Sequence, residues 1–264
     1  MLTTEVENYP GFIDGINGPD LMEHFKKQAE RFGAEIINSN VTSVNFSQKP
    51  FKIISGENSY EAQTVIIATG ASARWLGLEN EQKFIGKGVS SCATCDGFFF
   101  KDKEIALVGG GDSAMEEALF LTKFASKVTV IHRRDKLRAS KIMQDRAFEN
   151  DKIEFVWNSQ IEDVLGESSV TGIKIKNLET NESITKNVSG LFVAIGHVPN
   201  TDFLKGHVEL NDQGYIECNG TKTSVDGVFV AGDVHDFRYR QAVTAAGYGC
   251  MAAIDVDKYL AETK

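Results

Sequence analysis

Apolar residues along this chain gather into short runs that stop at small-residue turns. Ile105 to Val108 is one such run; it breaks on Gly109, Gly110 and Gly111 and gives way, from Ser113, to the amphipathic spacing of SAMEEALFL. An apolar run closed by glycines and followed by helical periodicity predicts strand, tight turn and helix in that order. A second strand, KVTVIHRRD, ends about twenty residues after the glycines. Further β runs, each ending in a small-residue turn, lie at 63–73 (QTVIIATGASA), 191–200 (LFVAIGHVPN) and 225–234 (VDGVFVAGDV). The stretch RYRQAVTAAGYGCMAAIDVDKYL predicts a helix that starts around Arg240, Gln241 and Ala242. Strands interleaved with helices predict the α/β class.

At 264 residues the chain is long enough for one large domain or two smaller ones with a real core. A net charge of −9 argues against a nucleic acid or an anionic membrane as partner, because both require a basic footprint. No apolar run approaches the roughly 18 residues of a membrane span, and Met1 leads into LTTEVENYPG without a basic or apolar leader. The expectation is a soluble, cytoplasmic protein.

In a reducing compartment a close cysteine pair is more often metal-binding or redox-active than a permanent staple. Cys92 and Cys95, in SSCATCDGFFF, form such a pair. A zinc site would need two further ligands at comparable spacing, whereas Cys218 and Cys250 are isolated and the five histidines form no matching pair. A redox disulfide fits better, since CxxC closes a small ring and the adjacent Asp96 can shuttle the proton that exchange chemistry requires. Asp96 also reads as a plain Asp-Gly turn residue. Cys218 and Cys250 read as structural, Cys250 within a small-residue helix suited to close packing, and Phe98 to Phe100 read chiefly as core.

The glycine turn suggests a nucleotide. Gly109, Gly111 and Ala114 stand at the G-x-G-x-x-A positions of a dinucleotide fold, where they permit the tight turn, close approach to a pyrophosphate and close helix packing. The helix that follows offers free N–H groups and partial positive charge to phosphates. Where an NAD site would place an acidic residue, the chain has His132, Arg133 and Arg134, with Arg138 one turn on. Guanidinium groups bind phosphate through paired donors, so these residues point to NADPH, the alternative being a solvated basic stretch. Asp233, after Gly232 at a strand end, is placed to accept a hydrogen bond from a flavin ribityl hydroxyl, and the helix start at Arg240, Gln241 and Ala242 offers N–H groups to an isoalloxazine ring.

The motifs TEVENYPG, IIATGASARWLGL, CATCDGFF, GGGDSAMEEA, HRRDKLRA, AIGHVPNT, AGDV and RQAVTAAGYGCMAA together resemble, in order and approximate spacing, the bacterial low-molecular-weight thioredoxin reductases, from about residue 2 to the end. The resemblance implies an NADPH- and FAD-dependent dithiol reductase with thioredoxin as partner, homodimeric, built from two Rossmann-like three-layer domains of the FAD/NAD(P)-linked reductase kind. It makes Cys92 and Cys95 the redox disulfide, with Cys95 nearer the flavin, and Asp96 the acid catalyst. It assigns Gly109, Gly111, Asp112, Ser113, Ala114, His132, Arg133, Arg134, Arg138, Ile195 and Gly196 to NADPH. To FAD it assigns Asn8, Thr69, Gly70, Gly232, Asp233, Arg240, Gln241 and Ala242.

The order of motifs predicts a discontinuous FAD domain, residues 1–73 and 199–264, around an inserted NADPH domain, 74–198, that carries CxxC. Against the family pattern, the FAD domain is expected to be N-terminally truncated, lacking the first glycine-rich βαβ unit that holds the ADP half of FAD, and the chain to bind FAD poorly. GASARWLG and GHVPNTD are the crossings, expected to hinge so that nicotinamide and disulfide take turns at the flavin. Two other readings are a non-catalytic NADPH-binding fragment and a ferredoxin–NADP reductase-like flavoprotein, the latter disfavoured by CATC.

Overall fold

The computed structural model describes residues 5–263; Met1 to Thr4, at which the expected FAD domain and the TEVENYPG motif begin, and Lys264 lie outside the described residues. The chain folds into two compact units, one formed by Met1–His24 with Ala73–Gly196 and the other by Phe25–Ser72 with His197–Lys264. The sequence reading keeps 1–73 together, whereas here the helix Gly18–Arg31 carries the division between His24 and Phe25.

The first unit is built on a five-stranded parallel sheet in the spatial order Ile153–Val156, Lys127–Ile131, Glu104–Gly109, Leu191–Ala194, Val89–Ser90. Side chains alternate across each strand, and both faces are buried, which is why these strands read as unbroken apolar runs. Ile105, Leu107, Val128, Val130 and Phe192 face one core, shared with Met115, Ala118 and Leu121 of the helix Asp112–Leu121 and Ala147 of the helix Lys141–Phe148. Ala106, Ile131, Leu191 and Val193 face the other.

That second core is closed by an antiparallel sheet, Ser159–Gly166, Val170–Asn177 and Ser183–Asn187, through Ile161, Val164, Ile173 and Ile175. The three layers are therefore helices, parallel sheet and antiparallel sheet. At roughly 1.5–3 kcal/mol for each fully buried large apolar side chain, the two-faced core dominates the stability of this unit. Its strand order has a functional consequence. The strand next in sequence after Glu104–Gly109 lies on one side of it and Leu191–Ala194 on the other, so the strand order switches at the carboxyl end of Glu104–Gly109, the kind of position where such sheets bind ligands.

In the second unit Val65–Ile67 runs parallel to Val228–Val230, and Ser43–Asn45, Phe51–Ser55 and Asn58–Ala62 form an antiparallel sheet. Val228 and Val230 face a core with Phe46, Phe51, Ile67 and Leu204, while Phe229 turns the opposite way, onto Ala252 and Tyr248 of the helix Ala242–Glu262. That helix buries Ala252 and leaves Val243, Met251 and Ile254 exposed. Cys250 is exposed as well, so the close packing expected of it is not found: the packed stripe of the helix runs through Ala252, Val256 and Tyr259 instead.

Candidate redox and nucleotide sites

The strand Val89–Ser90 delivers the chain to Cys92, which precedes the short helix Ala93–Asp96. Cys92 and Cys95 are joined by a disulfide, their Cα atoms 5.3 Å apart. The Cys92 carbonyl accepts the N–H groups of Cys95, at 3.3 Å, and Asp96, at 3.1 Å, so one tight turn fixes both sulfurs and the carboxylate. A disulfide sulfur carries no proton, so the Thr94 hydroxyl is the donor in its 3.4 Å contact with Cys92 Sγ. Ala93 and Phe100 are buried in the same core as Ala114, Met115 and Leu121 of the helix after the glycine turn, which makes disulfide and turn parts of one packed body.

Sequence reasoning missed Ser90. This buried serine accepts the Cys92 N–H at 3.0 Å, and its hydroxyl bonds to the Asp96 carboxylate. Burial pushes the Asp96 carboxyl up from the ordinary aspartate range, and the Ser90 bond offsets part of that rise. A carboxyl held toward its neutral form beside a disulfide is a proton donor in waiting. The three phenylalanines that follow divide: Phe100 is buried, Phe99 partly buried, and Phe98 is 59% exposed against Phe124, so only part of the run is core.

The glycine turn is shaped by close approaches. A Cβ on Gly109 would lie 2.5 Å from Ala114 Cβ and 2.6 Å from the Ala194 carbonyl oxygen, which requires glycine there and a small residue at 114. A Cβ on Gly110 would lie 2.3 Å from the His132 ring. Around Gly111, by contrast, no atom lies within 4 Å of that position, leaving room above the helix start for a ligand phosphate. Among the described residues no ion pair engages Arg133, Arg134 or Arg138, all exposed on the adjoining loop. Asp112 and Ser113 are exposed at the helix start, and Ile195 and Gly196, the latter at φ 102°, lie just beyond Ala194.

His132 behaves differently from its neighbours. It is buried beside Gly110 and Trp157, with Nε2 lacking a partner among the described residues, and burial holds its pKa below the ordinary histidine value. The ring presses against Gly110, and its burial favours the neutral form.

The remaining flavin candidates, apart from Asn8, fall in the second unit; Asn8 lies in the first. Oδ1 of Asp233 is buried without a hydrogen-bond partner among the described residues, and burial, followed by the charge of Asp236, raises its pKa. A buried unpaired carboxylate oxygen calls for a donor, and a ligand hydroxyl supplies one. Gly232, at φ 74°, turns the chain there. Asp236, unforeseen from sequence, accepts the Arg238 and Tyr239 N–H groups at 3.0 and 2.9 Å and so shapes the approach to Arg240. The Arg240 guanidinium donates to His197 Nδ1; burial and then the Arg240 charge push that histidine down to about 4. Gln241 and Thr244 cap the helix that begins at Ala242, Thr244 Oγ1 accepting the Gln241 N–H at 3.3 Å and donating to the Gln241 carbonyl at 2.8 Å. Thr69 and Gly70 are held by Asn200: the Thr69 hydroxyl donates to the Asn200 carbonyl at 2.9 Å, the Asn200 amide donates to the Thr69 carbonyl at 2.8 Å, and the Asn200 N–H donates to Gly70 at 2.9 Å.

A CxxC disulfide in the same packed unit as a strand, glycine turn and helix points to a class, and the comparisons agree with it. The family described as pyridine nucleotide-disulphide oxidoreductase matches residues 1–249. A curated thioredoxin reductase from Rickettsia felis is 55% identical over 98% of this chain and 86% of its own length. Solved thioredoxin reductases from Giardia duodenalis and Streptococcus pyogenes align with TM-scores of 0.92 and 0.93 at 45% and 42% identity, each over 98% of this chain and over 86% and 85% of theirs. The chain belongs to the thioredoxin reductase family of pyridine nucleotide-disulphide oxidoreductases.

Proposed function

We propose that this chain is a thioredoxin-disulfide reductase, passing electrons from NADPH through FAD and the Cys92–Cys95 disulfide to thioredoxin, and that it works as a homodimer in the cytoplasm. The observation that carries the reading is the shared core: disulfide, acid and glycine turn belong to one compact unit. Gly109, Gly111, Ser113 and Ala114 would hold the NADPH pyrophosphate and Arg133, Arg134 and Arg138 its 2′-phosphate. Asp233 would hold the flavin through a ribityl hydroxyl, with Gly232, Arg240, Gln241, Ala242, Thr69 and Gly70 as the other contacts from the same unit. Bound together, these cofactors supply hydride and electron-pair transfer.

The chain's own part is thiol and proton chemistry. The disulfide takes up two electrons and two protons and opens to a dithiol, Asp96 giving a proton to a departing thiolate. One of the two thiols loses its proton and attacks a sulfur of the oxidised thioredoxin, whose other sulfur leaves and is protonated; the resulting mixed disulfide is resolved by the second thiol, likewise deprotonated, which re-forms Cys92–Cys95 and releases the other thioredoxin sulfur to be protonated in turn. Of the crossings between the units, those after Ser72 and after Gly196 are the hinge of this reading. Phe98, exposed beside the disulfide, offers an apolar contact to a protein disulfide, and the stripe Val243, Met251 and Ile254 offers one to a second copy.

A coupled assay with NADPH, supplied FAD and oxidised thioredoxin tests the proposal. Turnover supports it; reduction of a dye without thioredoxin turnover, or nucleotide binding without either, rejects it.

Asp96→Asn separates the acid from the turn residue. Because the folded-state pKa of Asp96 is raised, its stabilising share is present at low pH and lost as pH rises through that value, above which the ionised carboxylate costs stability. Asparagine removes that cost and should raise Tm slightly while slowing opening of the disulfide by about 100-fold. Thermal melts with rapid-mixing measurements of dithiol formation check both; an unchanged rate removes Asp96 from the mechanism.

A further inference from the structure

We infer that Asp112 is a positioning residue for 2′-phosphate recognition: its carboxylate latches the arginine-bearing loop onto the glycine turn, and does not itself hold the nucleotide. The inference rests on the nucleotide reading above and deepens it.

Asp112 is an exposed acid in the first turn of a ten-residue helix, where the partial positive charge is also expected to attract a phosphate. A carboxylate there repels that phosphate, so its presence requires a compensating job. The structure shows one. Asp112 Oδ1 accepts the Ser140 N–H at 2.8 Å, across 28 residues of sequence. Its carboxyl lies below the ordinary aspartate range, first because of that backbone bond and then because of the Ser140 side chain.

Two backbone bonds join the same two segments beside it. The Gly110 carbonyl accepts the Arg138 N–H at 2.7 Å and the Ala139 N–H at 3.1 Å. Leu137 and Ala139 are both buried in the core below the sheet, so Arg138 sits exposed between two anchored residues. His132, pressed against Gly110, fixes the other end of the loop. The 133–139 segment is thus pinned at its start by a buried ring and at its end by Gly110 and Asp112. Guanidinium groups recognise phosphate by orientation, and a loop released at Ser140 keeps their charge while losing their aim.

The test needs no flavin. Calorimetric titration of the purified chain with adenosine 2′,5′-bisphosphate and with 5′-AMP reports the 2′-phosphate preference directly. Asp112→Ala is expected to weaken the bisphosphate by about three- to tenfold, the range for one hydrogen bond to a charged or neutral acceptor near the surface, with 5′-AMP affinity changed by less than about twofold. Asp112→Asn, which keeps an acceptor oxygen and drops the charge, is expected to retain the preference. Undiminished preference in Asp112→Ala, equal loss of both nucleotides, or an Asp112→Asn variant as weak as the alanine overturns the latch. If the unsubstituted chain itself shows no preference for the bisphosphate, it is the nucleotide reading that fails.

Discussion

Cys95→Ser will reduce NADPH-driven turnover of thioredoxin, with FAD supplied, to below about one part in a thousand of the unsubstituted chain, because an alcohol neither forms a disulfide nor leaves as a thiolate at neutral pH. The substituted side chain sits in the turn whose carbonyl at Cys92 holds both Cys95 and Asp96, and serine is small enough to leave that turn in place. Binding of adenosine 2′,5′-bisphosphate should be unaltered, since the glycine turn proposed to receive it is formed by Gly109, Gly111 and Ala114 and not by the cysteine loop. Parallel turnover and titration therefore distinguish loss of chemistry from loss of fold. Full turnover by Cys95→Ser would show that electrons bypass this disulfide.

The second large effect is expected at the basic loop. Replacing Arg133, Arg134 and Arg138 together with alanine should weaken adenosine 2′,5′-bisphosphate by about 100-fold, since charge-assisted bonds to phosphate are the strongest polar contacts available to an exposed site. The nucleotide lacking a 2′-phosphate should bind within a few-fold of its starting affinity, as its 5′-phosphate is proposed to lie at the helix start. The bisphosphate affinity of the unsubstituted chain should also fall as salt rises, and that slope should flatten in the triple variant. Equal losses for both nucleotides would place the arginines in general electrostatics and not in 2′-phosphate recognition.

These two regions were the most legible in the sequence, for a physical reason. A parallel strand buried on both faces must be apolar throughout, and a strand that turns on the spot into a helix needs glycine, so Ile105–Val108 followed by Gly109 to Gly111 announces its structure in its letters. The antiparallel layer did not announce itself. Its strands interleave Ile161, Val164, Ile173 and Ile175 with charged residues such as Glu162, Asp163 and Lys174, and its stability comes from packing on a sheet formed by distant sequence. Ser90, Asn200, Asp236 and the Asp112–Ser140 bond were equally hidden, because a serine or an acid carries no sign of which remote N–H it will meet. His132 stands in a basic run yet lies beneath the turn, a placement that only the contact with Gly110 reveals. Cys250 misled through its small neighbours: Gly247 and Gly249 face open space, so the small-residue stretch marks an outward face.

A phosphorylated nicotinamide nucleotide is expected to open Cys92–Cys95, and counting thiols shows whether it does. Of the chain's four cysteines, Cys218 and Cys250 are free and exposed, so alkylation without reductant should label two sites. After anaerobic incubation with FAD and NADPH, mass spectrometry should find all four labelled, with NADH far less effective at equal concentration. If Cys92 and Cys95 stay protected under NADPH while a chemical dithiol opens them readily, the nucleotide is not the electron source for this disulfide.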